Sequence, residues 1–229
     1  MKPTAITVEQ AIVGRQSIRA YLPDPVPHEV IQHILTIAGR APSGSNMQPW
    51  KVTVLSGAAK TKLSAELIRL HDAGDNGHWE YPYYSDVWRE PYLARRRQTG
   101  WGLYGLLGIP KGDRDASRAY QRRNFDFFGA PTGLIFTIDR ELARGSWLDY
   151  GMFLQSIMIA ARSFGLETVP QAAFCVFHET IQRMLAIPEG EMVVCGMALG
   201  YPEPGAAINT FRTEREDPAA FSTFLADLP

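Results

Sequence analysis

The segment that most constrains the fold is LDYGMFLQSIMIAARSF, residues 148–164, which is apolar on nearly every side when it is wound as a helix. Ser146 with Asp149 can cap its start, and the helix can run to Gly165. Such a helix needs cover all round, because apolar surface left in water costs free energy. We therefore expect it at the centre of the domain or in an interface between subunits.

The rest of the chain supplies strands and helices for one core. With 229 residues and 45% hydrophobic content, a single domain over residues 1–229 is the simplest organisation. Alternation and apolar runs predict strands, and capping signals with 3.6-residue spacing predict helices. The predicted strands are residues 51–55, 131–138 and 191–199, and the predicted helices run from Thr7 to Gly14, from Pro27 to a point before Pro42, and over residues 58–70.

A cationic triplet follows the first predicted helix. Arg15, Ser17 and Arg19 alternate along the chain, so an extended backbone would place all three side chains on one face. Two guanidinium groups that flank a hydroxyl can bind a phosphate dianion through bidentate, charge-assisted hydrogen bonds. The triplet alone is weak evidence, because basic and hydroxyl residues are also common on solvated surfaces.

A second motif makes the triplet more specific. PSGSNMQPW, residues 42–50, packs turn formers and short donor side chains together, and the alternating run KVTVL follows it, as in a polar loop that enters a strand. Both motifs, with their order and separation, resemble the FMN-dependent nitroreductase family. The likeness extends to GLETVPQAAF and to the closing GYPEPGAAINTFRTERE, so it covers most of the chain apart from about residues 72–125.

The resemblance implies the α+β nitroreductase fold, in which helices surround a central, mostly antiparallel sheet. It also implies a homodimer with two FMN sites at the subunit interface, which would place the apolar helix between the core and that interface. Residues 203–229 would be a C-terminal extension that packs on the partner subunit. The implied electron donor is NADH or NADPH.

The resemblance assigns the cofactor to four parts of the chain. The first motif would bind the phosphate and ring edge, the polar loop would approach from the other subunit, and a late arginine would return to the phosphate. The segment at residues 170–173 reads by composition as a polar loop, and in the family the backbone N–H groups of this loop lie beside the reactive edge of the flavin, near N5. The implied residues are Arg15, Gln16, Ser17 and Arg19; Pro42, Ser43, Gly44 and Asn46; Pro170, Gln171, Ala172 and Ala173; and Arg212 and Arg215.

The middle region, about residues 72–128, is dense in aromatic residues and arginine, and we predict a helical lid over the flavin. In the family this segment sets substrate choice, which makes Tyr84, Trp88 and Phe128 candidate substrate contacts. The run Arg95–Arg97 is suited to an aromatic carboxylate or to the phosphates of a nicotinamide donor. GWGLYG, residues 100–105, matches G-x-G-x-x-G, but RRRQT precedes it instead of a buried strand, so it does not indicate a Rossmann site.

The function implied is an FMN-dependent NAD(P)H oxidoreductase that reduces a small nitroaromatic or quinone-type acceptor. Hydride would pass to the flavin, the donor would leave, and the acceptor would enter the same slot in a ping-pong cycle. One alternative is reductive dehalogenation of an aromatic amino acid, for which Glu80 and Tyr84 are available but no lysine lies between Lys62 and Lys111. Another is a flavin-binding module without turnover.

Composition excludes several other classes. The formal net charge of -1 gives no field for nucleic acid or an anionic membrane, and no apolar run is long enough for a signal peptide or a membrane span. A cytoplasmic protein is therefore expected. Cys175 and Cys195 lie in apolar runs and are predicted to be reduced core residues. The five histidines lack metal-ligand spacing in the sequence, so no metal is expected.

Overall fold

A four-stranded antiparallel sheet forms the centre of the computed structural model, which describes residues 5–227. Residues 1–4 and 228–229, which belong to the predicted domain and C-terminal extension, lie outside the described residues. The two central strands are the apolar runs, and they are buried along most of their length. The strands are β1 (Lys51–Ser56), β2 (Thr132–Asp139), β3 (Glu167–Gln171) and β4 (Glu191–Gly200), in the order β1-β2-β4-β3.

Helices surround this sheet, which confirms the predicted α+β class. The first begins in the predicted capping box, where the Gln10 backbone N–H donates to Thr7 Oγ1 and the Thr7 N–H donates to Gln10 Oε1. Among residues 5–227, no helix combines the length and apolar character that crossing a membrane requires. The helices are α1 (Val8–Gly14), α2 (His28–Ala38), α3 (Gly57–Asp72), α4 (Tyr92–Leu106), α5 (Arg114–Arg122), α6 (Arg144–Arg162) and α7 (His178–Leu185).

Two hydrophobic cores lie on the two faces of the sheet. Side chains of a strand alternate between its faces, and along β2 Leu134 and Phe136 point into one core while Ile135 points into the other. The first core packs α2 and α6 against the sheet, and the second packs α3 and α7 there. All three β2 side chains are fully buried, which explains the unbroken apolar run.

The predicted start of α6 is wrong. This helix begins at Arg144 with Ala143 as its N-cap, so Ser146 and Asp149 lie inside it and are buried. The Asp149 carboxylate accepts a hydrogen bond from another part of the chain instead of capping the helix. The end of α6 is as predicted, since Gly165 has a φ of 69° soon after the last helical residue.

The predicted polar loop at residues 170–173 is partly a strand. Pro170 and Gln171 are the last residues of β3, while Ala172 and Ala173 begin a 3-10 turn, Ala172–Phe177. Proline fits here because β3 lies at the sheet edge, where one side of the strand needs no backbone donor.

The aromatic middle region contains two α-helices, α4 and α5, after an irregular stretch over residues 73–91. GWGLYG lies within α4, consistent with its exclusion as a dinucleotide motif. Phe128 follows α5 and is 3% exposed in the second core. The structure therefore places this predicted substrate contact in the core and not on a cavity wall.

Part of the C-terminal segment packs against α4 of the same chain. Arg95 and Gln98 of α4 donate to Glu216 and Glu214, each over 2.8 Å, and the Phe211 ring lies against α4. Beyond these contacts, three large apolar side chains are exposed, as the predicted packing on a partner subunit would require. They are Phe221, Phe224 and Leu225.

Candidate active site

A cavity of about 810 Å³ lies beside the cationic triplet. Arg15, Ser17 and Arg19 all line it, whereas Ile18 between them is 1% exposed and belongs to the core. The three side chains therefore share one cavity, as the alternation predicts, although Gln16 between Arg15 and Ser17 lines it too. Folding also brings Arg212 and Arg215 to this cavity from almost 200 residues further along the chain.

Backbone pairing with β3 holds the triplet in its extended form. Ser17 forms a parallel bridge to Thr168, and the Ile18 N–H donates to the Thr168 carbonyl over 3.1 Å. Because Thr168 precedes Pro170 by two residues, the same strand positions both the cationic face and the predicted flavin-edge segment. Pro170 also lines the cavity.

Asn209 fixes the other end of the triplet. Its side-chain Oδ1 accepts from the backbone N–H groups of Arg19, at 3.0 Å, and Ala20, at 3.2 Å. Its Nδ2 donates to the Ala20 carbonyl over 2.8 Å. The Ala20 carbonyl also accepts from the Glu203 N–H over 3.0 Å. The Asn209 amide therefore provides the acceptor for two backbone N–H groups, and it ties the C-terminal segment to the site.

The charges around the cavity favour an anion. Burial lowers the pKa of the Arg15 guanidinium, and the nearby positive charge of Arg215 lowers it further, while Glu167 opposes both effects. Glu167 Oε1 accepts from Arg162 over 2.9 Å. Among residues 5–227, no carboxylate forms a salt bridge with the four arginines that line the cavity, and such a group of guanidinium charges suits a phosphate dianion.

The polar loop is shaped by its own backbone and by α6. Ser43 Oγ accepts from the Gln48 N–H, and Asp149 Oδ2 accepts from the Gly44 N–H, both over 3.0 Å. Asn46 has a φ of 57° and is exposed. Within residues 5–227, the residues that line the cationic cavity do not include this loop, as expected if it serves the site of a second subunit.

A second, more apolar cavity of about 550 Å³ adjoins the first at Pro170. Gln171 and Ala172 line it together with aromatic side chains such as Trp147. The Gln171 side chain is 3% exposed, and its Nε2 donates to the Asn124 carbonyl over 2.8 Å. The segment from 170 to 172 thus separates two cavities, whereas Ala173 packs against the second core.

Aromatic side chains of residues 79–88 form a cluster, and two of them, Tyr81 and Tyr83, line the apolar cavity. The predicted substrate contacts Tyr84 and Trp88 belong to the cluster but line neither of the two cavities. Tyr84 is 51% exposed and its ring centroid lies 5.5 Å from that of Trp88. The Arg96 guanidinium carbon lies 4.6 Å from the Trp88 ring centroid, a cation–π contact. Arg95, by contrast, is ion-paired with Glu216. Arg96 therefore has an aromatic partner and, within residues 5–227, no ion pair, so its guanidinium is available to an anion.

The structure makes Glu80, one of the two residues proposed for the dehalogenase alternative, unsuitable for substrate binding. The Glu80 side chain is 7% exposed and forms an ion pair with Arg140. A buried carboxylate that is already paired is poorly placed to hold the ammonium group of a zwitterion.

Comparison with known proteins agrees with this geometry. The model of the Nitroreductase family matches residues 12–201. The chain belongs to the nitroreductase family. It is 44% identical to a 4-nitrobenzoate reductase of Pseudomonas putida, covering 95% of each chain. It is 42% identical to a 4-nitrobenzoate reductase of Nocardioides sp. (strain LMS-CY), covering 97% of this chain and 92% of the relative.

A solved structure supports the same assignment. The FMN-dependent nitroreductase NfnB from Mycobacterium smegmatis, in complex with NADPH, superposes with a TM-score of 0.90 at 31% identity, covering 95% of this chain and 97% of that one. The predicted nitroreductase fold is therefore confirmed.

Several positioning residues of this nitroreductase-family chain were missed in the sequence. Asn209 lies inside the C-terminal segment that carries the family resemblance, but an Asn in a turn-rich stretch has many other uses. Asp149 was interpreted as a helix cap. Gln155 and Met158 line the cationic cavity from α6 and Thr99 from α4, and helical spacing alone does not show which face meets a ligand.

Both cysteines are expected to be unreactive in the folded protein. Burial raises the pKa of the Cys175 thiol to about 11, and burial also raises that of Cys195. At pH 8 only about one Cys175 in a thousand would be thiolate, the reactive form. Titration with a thiol reagent should detect two thiols in denaturant but almost none in native protein. Rapid native labelling would contradict the observed burial.

Proposed function

We propose that this protein is an FMN-dependent NAD(P)H oxidoreductase that reduces nitroaromatic compounds. The observation that carries the proposal is the arginine-lined cavity that adjoins Pro170 in a chain 44% identical to a named 4-nitrobenzoate reductase. The NADPH complex of the Mycobacterium smegmatis relative supports a nicotinamide donor. A cytoplasmic location is part of the proposal, because the two buried free thiols suit a reducing compartment.

The residues present fit FMN. Arg15, Arg19, Arg212 and Arg215 provide guanidinium donors for the phosphate, and the volume of about 810 Å³ is within the range of ligand sites. Gln16 lines the same cavity, and its buried Oε1 has no hydrogen-bond partner among the described residues. An unpaired buried acceptor of this kind suits a ligand that donates a hydrogen bond, as the flavin ring does.

Each part of the site then has a distinct role. When bound, FMN supplies two-electron transfer from the nicotinamide donor to the acceptor. The arginines and Ser17 would hold the phosphate, and the backbone N–H groups of residues 171–173 would lie at the reactive edge of the ring. Tyr84 and Trp88 would offer flat apolar surface to an aromatic acceptor.

A homodimer completes the proposed site. Ser43, Gly44 and Asn46 would reach the flavin of the partner subunit, together with Pro42. Leu148 on α6 and Val13 on α1 are 73% and 78% exposed, which is unusual for large apolar side chains unless another surface covers them. Light scattering after size exclusion should give twice the mass of the 25.5 kDa chain. A monomer that still binds FMN would remove the loop from the site.

An anaerobic experiment tests the function directly. Purified protein should be yellow and should release FMN on heating. Adding NADPH without oxygen should bleach the flavin, and nitrobenzene or 4-nitrobenzoate should restore its colour. Bleaching that only a halogenated tyrosine reverses would favour the dehalogenase, and a flavin that NADPH or NADH does not bleach would indicate a binding module.

Arg96→Gln should weaken the use of a carboxylated acceptor selectively. An exposed ion pair contributes up to about 1 kcal/mol, so KM for 4-nitrobenzoate should rise about fivefold while KM for nitrobenzene stays nearly constant. Arg95→Gln is the matched control, because Arg95 is already paired with Glu216. Equal changes in KM for both acceptors would show that Arg96 supports the fold of the aromatic segment and does not bind the carboxylate.

A further inference from the structure

Two histidines that are 100 residues apart in the sequence meet on the surface away from the cationic cavity. His78 Nε2 lies 3.1 Å from His178 Nε2, and the two rings are nearly perpendicular, at 83°. The Glu179 carboxylate lies 3.7 Å from His78 Nε2. One ligand atom from each of these three residues falls within 4.8 Å of the other two. The spacing that the sequence lacked is therefore produced by folding.

These separations suit a shared cation. Metal–nitrogen bonds of about 2.0–2.1 Å in a tetrahedral site place neighbouring ligand atoms about 3.3 Å apart. The separation of the two imidazole nitrogens, 3.1 Å, is close to that value. His78 and Glu179 side chains are 64% and 71% exposed, so an ion and a completing water can reach the site from solvent.

A carboxylate lies beside the second ring nitrogen of His178, as is common at metal sites. His178 Nδ1 is buried and has no hydrogen-bond partner among the described residues, and Glu80 Oε2 lies 3.5 Å from it. Metal-binding histidines commonly direct their second ring nitrogen at a carboxylate, which fixes the tautomer and raises ligand basicity. The carboxylates of Glu80 and Glu179 also offset the positive N-terminal end of α7, although Arg140 pairs with Glu80.

The backbone holds His78 in place without using the imidazoles. The His78 N–H donates to the Val176 carbonyl over 2.9 Å, and Asp75 Oδ1 accepts from the Gly77 N–H over 2.8 Å. Gly77 has a φ of 57°, and a Cβ there would collide with the Val176 carbonyl. This close approach is open only to glycine, and it presents His78 to α7 in a fixed position.

We propose that His78, His178 and Glu179 bind one divalent transition-metal ion, with Glu80 orienting His178. Two imidazoles and a carboxylate are a donor set for Zn²⁺, with Ni²⁺ and Cu²⁺ as close competitors. The bound ion would tie the beginning of the aromatic segment to α7. This segment continues into Tyr81 and Tyr83, which line the apolar cavity.

Calorimetric titration of zinc chloride into the FMN-loaded, tag-free, chelator-treated protein tests the proposal. We expect saturable binding of one Zn²⁺ per chain and a higher thermal midpoint with Zn²⁺ present. X-ray absorption at the zinc edge should report two imidazole ligands. Wild-type protein that binds no Zn²⁺ would overturn the proposal and leave a histidine–histidine hydrogen bond as the reason for the contact.

Variants at the two exposed ligands locate the site without disturbing the core. His78→Ala should lower Zn²⁺ affinity at least as much as loss of an outer-shell partner does, about tenfold to a hundredfold, and Glu179→Gln should weaken it too. His28→Ala, at an exposed histidine that opens α2, should leave the affinity unchanged. Zinc binding that survives both ligand variants would place the ion elsewhere and refute this assignment.

Discussion

Replacing Arg19 with alanine is expected to raise the FMN dissociation constant about tenfold to more than a hundredfold. A lost hydrogen bond to a charged group costs about 1.5–3 kcal/mol, and each 1.4 kcal/mol is tenfold in affinity. Arg19 Nη1 donates to the Ser17 carbonyl over 3.1 Å, so the guanidinium is already held at the cavity before a ligand arrives. A donor positioned in advance has less conformational entropy to lose on binding.

Titration of flavin-free protein with FMN measures this effect. Arg183→Ala, on the exposed side of α7, removes the same charge far from the triplet and should leave the affinity unchanged. The rate at which NADPH reduces the flavin that remains bound should change much less than the affinity. An unaltered dissociation constant for Arg19→Ala would remove this residue from the site.

Asn209→Ala is expected to lower the free energy of unfolding by about 2–4 kcal/mol, because partly buried backbone groups left without a partner cost about 1–3 kcal/mol each. The Arg19 and Ala20 N–H groups both lose their acceptor, whereas the Ala20 carbonyl still accepts from the Glu203 N–H. Since the same amide fixes the end of the cationic face, FMN affinity should also fall, by roughly tenfold.

Denaturant unfolding of the flavin-free protein separates the stability effect from stabilisation by bound FMN. Asn209→Asp keeps the acceptor for both N–H groups but loses the donor, so its loss of stability should be smaller. Thr210→Ala, at the adjacent residue, removes an exposed local hydrogen bond and serves as the matched control. If Asn209→Ala and Thr210→Ala had equal effects, Asn209 would not be the link between the C-terminal segment and the site.

Patterns that depend on near neighbours were predicted well. The capping box at Thr7, the three strands and the first three helices were each visible as a local signal, and each lies where it was expected. The cationic face was predictable too, because alternation of Arg15, Ser17 and Arg19 has a direct meaning once the backbone is extended. Confirmation of FMN contacts at these residues awaits the affinity measurements above.

Local signals failed where a distant partner competed with them. Asp149 has the sequence position of a capping residue, yet its carboxylate accepts from Gly44, more than 100 residues away. Residues 170–173 read as a polar loop, but pairing with β4 at the sheet edge makes Pro170 and Gln171 the end of a strand. Phe128 belongs to an aromatic stretch that suggests a substrate slot, and the second core buries it instead.

By itself, the sequence determined the composition of the core, most of the regular elements and the cationic face, because these depend on side-chain type and on spacing within a few residues. Only the tertiary structure decided which distant groups meet. It joined Arg212, Arg215 and Asn209 to the triplet, and it brought His78 to His178. Such meetings depend on how strands pair and helices pack, which is a collective property of the chain that no short window of residues contains.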